Sequence, residues 1–351
     1  MEKSTFVIIF GLLAFLLSHQ PMEFQRSLYR RNVLCWLMFL FIVIQNGFRD
    51  YLHSTNDTYN YYHAYKYMLD ETLLEQFQSI SLMASSYASR DPGFDIFQKI
   101  TQIIWPDFRF LLVVVSVMIA YPLTRLLFRY TQTVSGIFIG MALYEALFAG
   151  FFDTGMRQTI AMGLCYFAFL NFQERKHYLY WIVPLFIAYT IHTTTVIFIP
   201  MFVLWRIENQ NRLLMIALCL APLCMLIAQP LIAFLGSGTI FESYAVNSKD
   251  NLGTPVFTAL VFLSAFASKI FAKRLTETYP YYTTLLPAIV MALMLTPSTW
   301  VNSNFIRLVF YYLVFLLPLL SVLVETAFSN SDSLRRISYG GIAFVLIALT
   351  L

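Results

Sequence analysis

The stretch "FRFLLVVVSVMIAYPLTRLLF" (Phe108 to Phe128) decides the fold. Its length, with only Arg109 and Arg125 charged, matches the ~17–25 residues that cross a bilayer as a helix. Runs near that length recur along the whole chain, at 3–19, 32–48, 134–152, 156–173, 177–191, 193–206, 212–235, 254–272, 280–297, 304–324 and 336–351. Together they predict about twelve spanning helices, roughly 10–14 allowing for the shorter runs. Composition agrees. The 351 residues are 59% apolar and 12% charged, against about a quarter charged in soluble domains. The expectation is an all-α polytopic transmembrane helix bundle, a single integral membrane domain over 1–351. The long segment 49–107 reads as an outer loop with amphipathic helices.

Basic residues set the orientation. Arg26, Arg30 and Arg31 follow the first run; later alternate connections hold Arg125 with Arg129, Arg175 with Lys176, Arg206 with Arg212, Lys273 with Arg274, and Arg335 with Arg336. These loops are expected to face the cytoplasm, which puts the N-terminus outside. The first run then reads as a spanning helix rather than a cleaved signal, since no small-residue cleavage site precedes Pro21. The formal charge of +4 belongs to these loops, so no nucleic-acid partner is implied. Cys35, Cys165, Cys219 and Cys224 all lie in apolar runs. They suggest neither a disulfide framework nor zinc spacing.

The opposite face differs in kind. It carries single polar residues at helix mouths: Arg49, Asp50, Asp57, Asp153, Arg157, His192, Asn302, Asn304 and Arg307. Charges near membrane depth are rare and tend to be functional. In "FFDTGMRQTIAMGLCYF" (151–167), Asp153, Thr154 and Gly155 read as a turn, placing Arg157 in the first helical turn. A cation there opposes the helix dipole. Either Asp153 pairs with it at i,i+4, worth ~0.5 kcal/mol, or a bound anion satisfies both positive features. His192 lies in "AYTIHTTTVIF" ahead of Thr193, Thr194 and Thr195. It is either a hydrogen-bonded structural residue or a general base. Arg307, in "WVNSNFIRLVFYY", repeats the Arg157 pattern or anchors at the interface with Trp300 and Tyr311.

The outer loop opens "RDYLHSTNDTYNYYHAYKYML", with Tyr51, Tyr59, Tyr61, Tyr62, Tyr65 and Tyr67 close together. This is either an interfacial aromatic belt or a sugar-binding platform, since aromatic rings offer flat apolar area. Asp57 suits a helix start. Next comes "SRDPGFDIFQKITQIIW": Asp91 reads as N-cap and Pro92 as the first helical residue. Phe94, Phe97, Ile100 and Ile104 are expected on one face, lying on the membrane or over the bundle.

The order of "NDTYNYYHAYKYM", "DPGF", "GMRQTIAMGL", "FQERKHYLYW", "AYTIHTTTVIFIP" and "NSNFIRLVFYY" resembles the EpsG family, within the Wzy-type polysaccharide polymerases. The resemblance runs from about residue 45 to 325, with Asp91-Pro92-Gly93 where the family has an "EPG"-like start. It implies a GT-C-like membrane glycosyltransferase that joins oligosaccharide repeat units carried on undecaprenyl pyrophosphate. Donor and acceptor would meet on the extracytoplasmic face of the bacterial cytoplasmic membrane, without metal, nucleotide or other cofactor. The product would be exopolysaccharide, capsule or O-antigen, with a chain-length regulator and a flippase as partners. Site roles then follow. Arg157 and Arg307, with Arg49 third, stabilise the departing pyrophosphate. His192 is the first candidate base and Asp57 the second. Asp153, Gln158, Asn302 and Asn304 hold substrate or orient the arginines, and Tyr61, Tyr62 and Tyr65 line the sugar path. A flippase of lipid-linked sugars, another lipid-phosphate-sugar glycosyltransferase and a sugar acyltransferase are the alternatives.

Overall fold

The computed structural model describes residues 3–52, 57–70, 72–75, 91–236, 253–279, 281–328 and 331–350. All regular structure among them is helical. Each apolar run of the sequence carries helix, but fewer of these helices than expected span by length and composition. Four are long and apolar enough to cross a membrane: Leu28–Gly47, Phe108–Tyr130, Gln210–Phe234 and Tyr282–Val301. Two bent pairs raise the number to six if each is one span: Pro255–Ile270 with Ala272–Thr278, bent by 74°, and Ser303–Leu313 with Leu316–Ala327, bent by 62°. Ser4–Leu17, Val134–Leu147, Leu179–Ile191 and Thr193–Leu204 are apolar but shorter.

The physical reason lies in breaks and in polar content. The run at 193–206 is a 3₁₀ turn, Thr193–Phe198, followed by the short helix Pro200–Leu204, since proline favours a new first turn. The Met156–Gln173 helix carries Arg157, Gln158, Asn171 and Gln173, and most of its residues are buried. Protein neighbours rather than lipid surround it, so it need not be apolar throughout.

The chain divides into two compact units. The first comprises Leu28–Phe128 and Tyr144–Val196 with the extreme N-terminus; the second comprises Thr5–Ser27, Arg129–Leu143 and Ile197–Leu351. The core of the first is built from Tyr65, Phe94, Phe108, Leu111, Leu112, Val115, Met156, Ile160 and Ile191. Truncating such a residue costs ~2–5 kcal/mol. This core positions the polar residues beside it, because Met156 precedes Arg157, Ile191 precedes His192 and Phe94 lies three residues past Asp91. Gly163 lets the Met156–Gln173 helix approach the Phe108–Tyr130 helix closely; a Cβ there would lie 2.4 Å from the Met118 carbonyl oxygen.

The Pro92–Ile104 helix corrects the expected stripe. Phe94 is buried, but so are Gln98, Lys99, Thr101 and Gln102. Ile100, Ile103 and Ile104 are exposed. The helix turns its polar side inward and its isoleucines outward, as expected beside lipid. Two inward groups fix it to the chain beyond the tyrosines: Lys99 Nζ donates to the Met68 carbonyl at 2.6 Å and Gln102 Nε2 to the Tyr65 carbonyl at 2.5 Å.

In the second unit, the Gln210–Gly236 helix packs along Leu286–Val301. Gly11 of the first helix meets Ala343 of the Asp332–Thr350 helix, where a Cβ would come within 2.8 Å of the Ala343 Cβ. Glu325 is buried; its Oε1 accepts from Thr133 Oγ1 at 3.1 Å and from the Tyr339 hydroxyl. Gln25 Oε1 accepts from the Ser135 N–H and Oγ, both at 3.0 Å.

Candidate active site

Three chain segments meet at Asp91 in the first unit. Asp91 stands at the N-cap position of the Pro92–Ile104 helix, yet its side chain makes no capping hydrogen bond. Its Oδ2 instead accepts from Arg157 Nη1 at 2.8 Å and lies 3.5 Å from His192 Nδ1. The second distance is too long for a good neutral hydrogen bond but short for an ion pair once the ring is protonated. Arg157 Nε donates to the Tyr61 hydroxyl at 3.2 Å, and the guanidinium carbon lies 5.7 Å from the Tyr61 ring centroid.

Local backbone explains each placement. The Leu179–Ile191 helix stops at His192, whose extended backbone (φ −156°, ψ 110°) leads into the 3₁₀ turn of threonines. Gly155 separates the short Ala149–Thr154 helix from Met156–Gln173, which puts Arg157 in the first turn as expected. Gly93 brings the aspartate to the histidine. A Cβ on Gly93 would lie 2.3 Å from Thr190 Oγ1 and 2.7 Å from the Thr190 carbonyl carbon. Only glycine allows the Asp91-Pro92 start to press against the end of the His192 helix.

The side chains differ in access. Asp91 is 3% exposed, His192 23% and Arg157 39%. The acid is sealed, while the two bases reach the surface. Burial alone would raise the Asp91 carboxyl. The nearby His192 when protonated, the charge of Arg157 and the Thr193 N–H outweigh it and hold the group below the usual carboxylate range.

The ion pair of Arg157 is thus with Asp91, not with Asp153 at i,i+4. Asp153 belongs with Arg49. Burial lowers the Arg49 guanidinium, and the charges of Asp153 and Tyr144 oppose that shift. Arg49 Nη1 donates to the Asn46 carbonyl at 2.7 Å. Its Nε and Nη2 are buried with no hydrogen-bond partner among the described residues. Thr58 Oγ1 donates to the Asp153 carbonyl at 2.8 Å, tying this corner to the Asp57–Tyr67 helix.

The remaining candidates are dispersed. Gln158 is buried on the Arg157 helix. Asp57 is exposed in the first turn of its own helix, and no hydrogen bond or ion pair joins it to Asp91, Arg157 or His192 among the described residues. Tyr62 lines an open cavity, and Tyr65 does so from the core with 1% exposure. Asn302, Asn304 and Arg307 belong to the second unit. There the Asn302 side chain accepts from the Asn304 N–H at 3.0 Å, and Arg307 is exposed in the first turn of the Ile306–Leu313 helix. The residue not anticipated as functional is Asp91, whose position before Pro-Gly fits a helix cap equally well.

The chain is a membrane protein, helical among its described residues, with an Asp–Arg–His cluster where helix ends meet. The sequence model of the EpsG family matches residues 32–351, nearly the whole chain, and the protein belongs to that family. EpsG family members are Wzy-like polysaccharide polymerases. Neither a curated protein nor a solved structure gives a significant match.

Proposed function

We propose that this protein polymerises oligosaccharide repeat units carried on undecaprenyl pyrophosphate, at the extracytoplasmic face of the bacterial cytoplasmic membrane and within a GT-C-like bundle. The observation that carries this reading is the convergence of Asp91, Arg157 and His192 on one carboxylate oxygen.

The chemistry is a glycosyl transfer. His192 Nδ1 faces Asp91, which leaves Nε2 for the acceptor hydroxyl. The hydroxyl gives its proton to Nε2 while its oxygen attacks the donor's anomeric carbon. The bond from that carbon to the phosphate oxygen breaks, and the pyrophosphate leaves with the electron pair. Asp91 stabilises the imidazolium that forms, as a buried carboxylate does in an Asp–His pair. Before proton transfer the Asp91–Arg157 pair is neutral. Once His192 is protonated the cluster carries one net positive charge, when the leaving group needs it. The exposed part of Arg157 supplies donors to the pyrophosphate. The unpartnered N–H groups of Arg49 are the second source. Tyr61 orients Arg157. The donor's glycosyl-phosphate bond supplies the driving force, so activity should survive EDTA.

The test is to incubate the purified protein with a defined lipid-linked repeat unit. A ladder of products without nucleotide is the expected result. Absence of a ladder alongside vectorial movement of the lipid would assign the protein to the flippases.

A further inference from the structure

The open cavity of the first unit is separate from the Asp91 cluster and has about 580 Å³ of space, within the ~300–1,000 Å³ of small-molecule sites. Tyr51, Tyr62, Trp105 and Phe108 form its aromatic walls, and Lys66 and Asp107 add a cation and an acid. The rings are not equivalent. Tyr51 and Tyr62 pack against each other and against Phe108, with centroids 4.9–5.4 Å apart. Lys66 Nζ lies 4.6 Å over the Tyr62 ring and the Arg109 guanidinium 5.2 Å over the Tyr51 ring. Trp105 is different: it is 61% exposed, just past the end of the Pro92–Ile104 helix. Asp107 Oδ1 accepts from the Arg109 N–H at 2.9 Å and so starts the next helix; Oδ2 is the oxygen left for a ligand.

We propose that this cavity is a saccharide subsite that holds a neutral pyranose of the chain away from the bond being made. This rests on the polymerase reading above. Stacking on Trp105 would bury one sugar face, since indole offers a large flat apolar surface. Asp107 Oδ2 and Lys66 Nζ would take neighbouring hydroxyls as acceptor and donor. Two further features favour sugar as the occupant. Lys66 and Asp107, the charged lining residues, balance each other, which suits a neutral ligand, while Arg109 stacks on Tyr51 and is not itself a lining residue. The exposed isoleucines of the preceding helix would place Trp105 at the lipid–water boundary, where the sugars of a lipid-linked chain lie. The subsite also joins the catalytic cluster by sequence: Tyr61 touches Arg157, and Tyr62, the next residue, lines the cavity. A site of this kind grips the growing polymer without touching the reacting atoms. It sets KM and product length rather than the rate of the chemical step.

The competing account is an aromatic anchor in lipid. Trp105→Leu separates the two, because leucine keeps apolar area and loses the flat ring. The probe is a lipid-free neutral oligosaccharide cut from the producer's own polysaccharide, titrated by calorimetry into detergent-solubilised full-length protein. Wild type should bind it, Trp105→Phe should bind within about threefold, and Trp105→Leu should lose about three- to tenfold. In the polymerisation assay Trp105→Leu should raise KM and shorten products while kcat is retained. No binding by wild type, or equal binding by wild type and Trp105→Leu, would overturn the subsite. Neither result bears on whether wild type makes a ladder, so the polymerase reading fails or stands separately.

Discussion

Two buried carboxylates in this protein have opposite surroundings. Asp91 of the first unit is gripped by Arg157 and faces His192, both of which reach the surface. Glu325 of the second unit accepts from the hydroxyls of Thr133 and Tyr339, which are themselves buried. A carboxylate held by titratable, accessible partners can pass charge to a substrate. One held by buried hydroxyls secures helices to one another. Burial of an acid is therefore not in itself a mark of function; the accessibility of its partners decides.

The largest effect should come from Arg157. Arg157→Ala should cut polymerisation by about 10²–10³-fold or more, as for loss of a preorganised donor to a leaving anion. Arg157→Lys should lose most activity, since the ammonium cannot reproduce a fork that reaches Asp91 and Tyr61 together. Asp91→Asn should be comparably harmful, while Asp153→Asn should be much milder. Rates on a lipid-linked unit, with insertion checked by protease protection, would show this. Equal damage from Asp91→Asn and Asp153→Asn would break the assignment.

Gly93→Ala comes next. The added methyl collides with Thr190, and such overpacking costs ~1–3 kcal/mol. It should shift Asp91 from His192, so activity should fall further than the folded fraction does, measured by thermal unfolding beside the rate. A parallel fall would mean that Gly93 matters only for packing.

The Glu325 side of the comparison predicts the reverse pattern. Tyr339→Phe strips a donor from a buried carboxylate and should lower stability by ~1–3 kcal/mol, with turnover per folded molecule close to wild type. Strong loss of turnover in well-folded Tyr339→Phe would give Glu325 a chemical role and erase the contrast.

The smallest effect is in pH dependence. The Asp91 carboxyl is depressed from its ordinary value of 3.8. The stability it contributes is fully present above that value and is lost as pH falls through the lower folded pKa. Wild type should therefore lose stability in acid below about pH 4 more steeply than Asp91→Asn. Parallel acid limbs in chemical denaturation would remove Asp91 as the cause.

Much of this was legible from residue order. The apolar runs became helices because their composition leaves the backbone no alternative in lipid. Arg157 and His192 stood out because a polar residue at a helix mouth is costly unless it has a partner, and Tyr61 because it lies in a dense run of tyrosines. The partner itself was obscured. Asp91-Pro92-Gly93 satisfies the rules for a helix start, and those rules say nothing of what the carboxylate reaches across the fold. The Asp153–Arg157 pairing suggested by i,i+4 spacing failed because Gly155 breaks the helix between them, so the spacing is not a helical one. Fewer of the runs than expected are long and apolar enough to span among the described residues, as at 193–206, where a 3₁₀ turn gives way to a short helix at Pro200. The expected stripe of the Pro92–Ile104 helix splits: Phe94 and Phe97 pack on the core while Ile100 and Ile104 face outward, because spacing alone does not say which residues of a helix meet the core.

The most direct test is a double-mutant cycle on the chain-extension rate, using Asp91→Asn, Arg157→Ala and the double variant. If Asp91 and Arg157 act as one unit with His192, the double variant should be no more than about threefold slower than the worse single variant, because groups acting together are strongly non-additive. Losses that multiply in the double variant would contradict this account. So would a cycle in which Asp153, rather than Asp91, couples to Arg157.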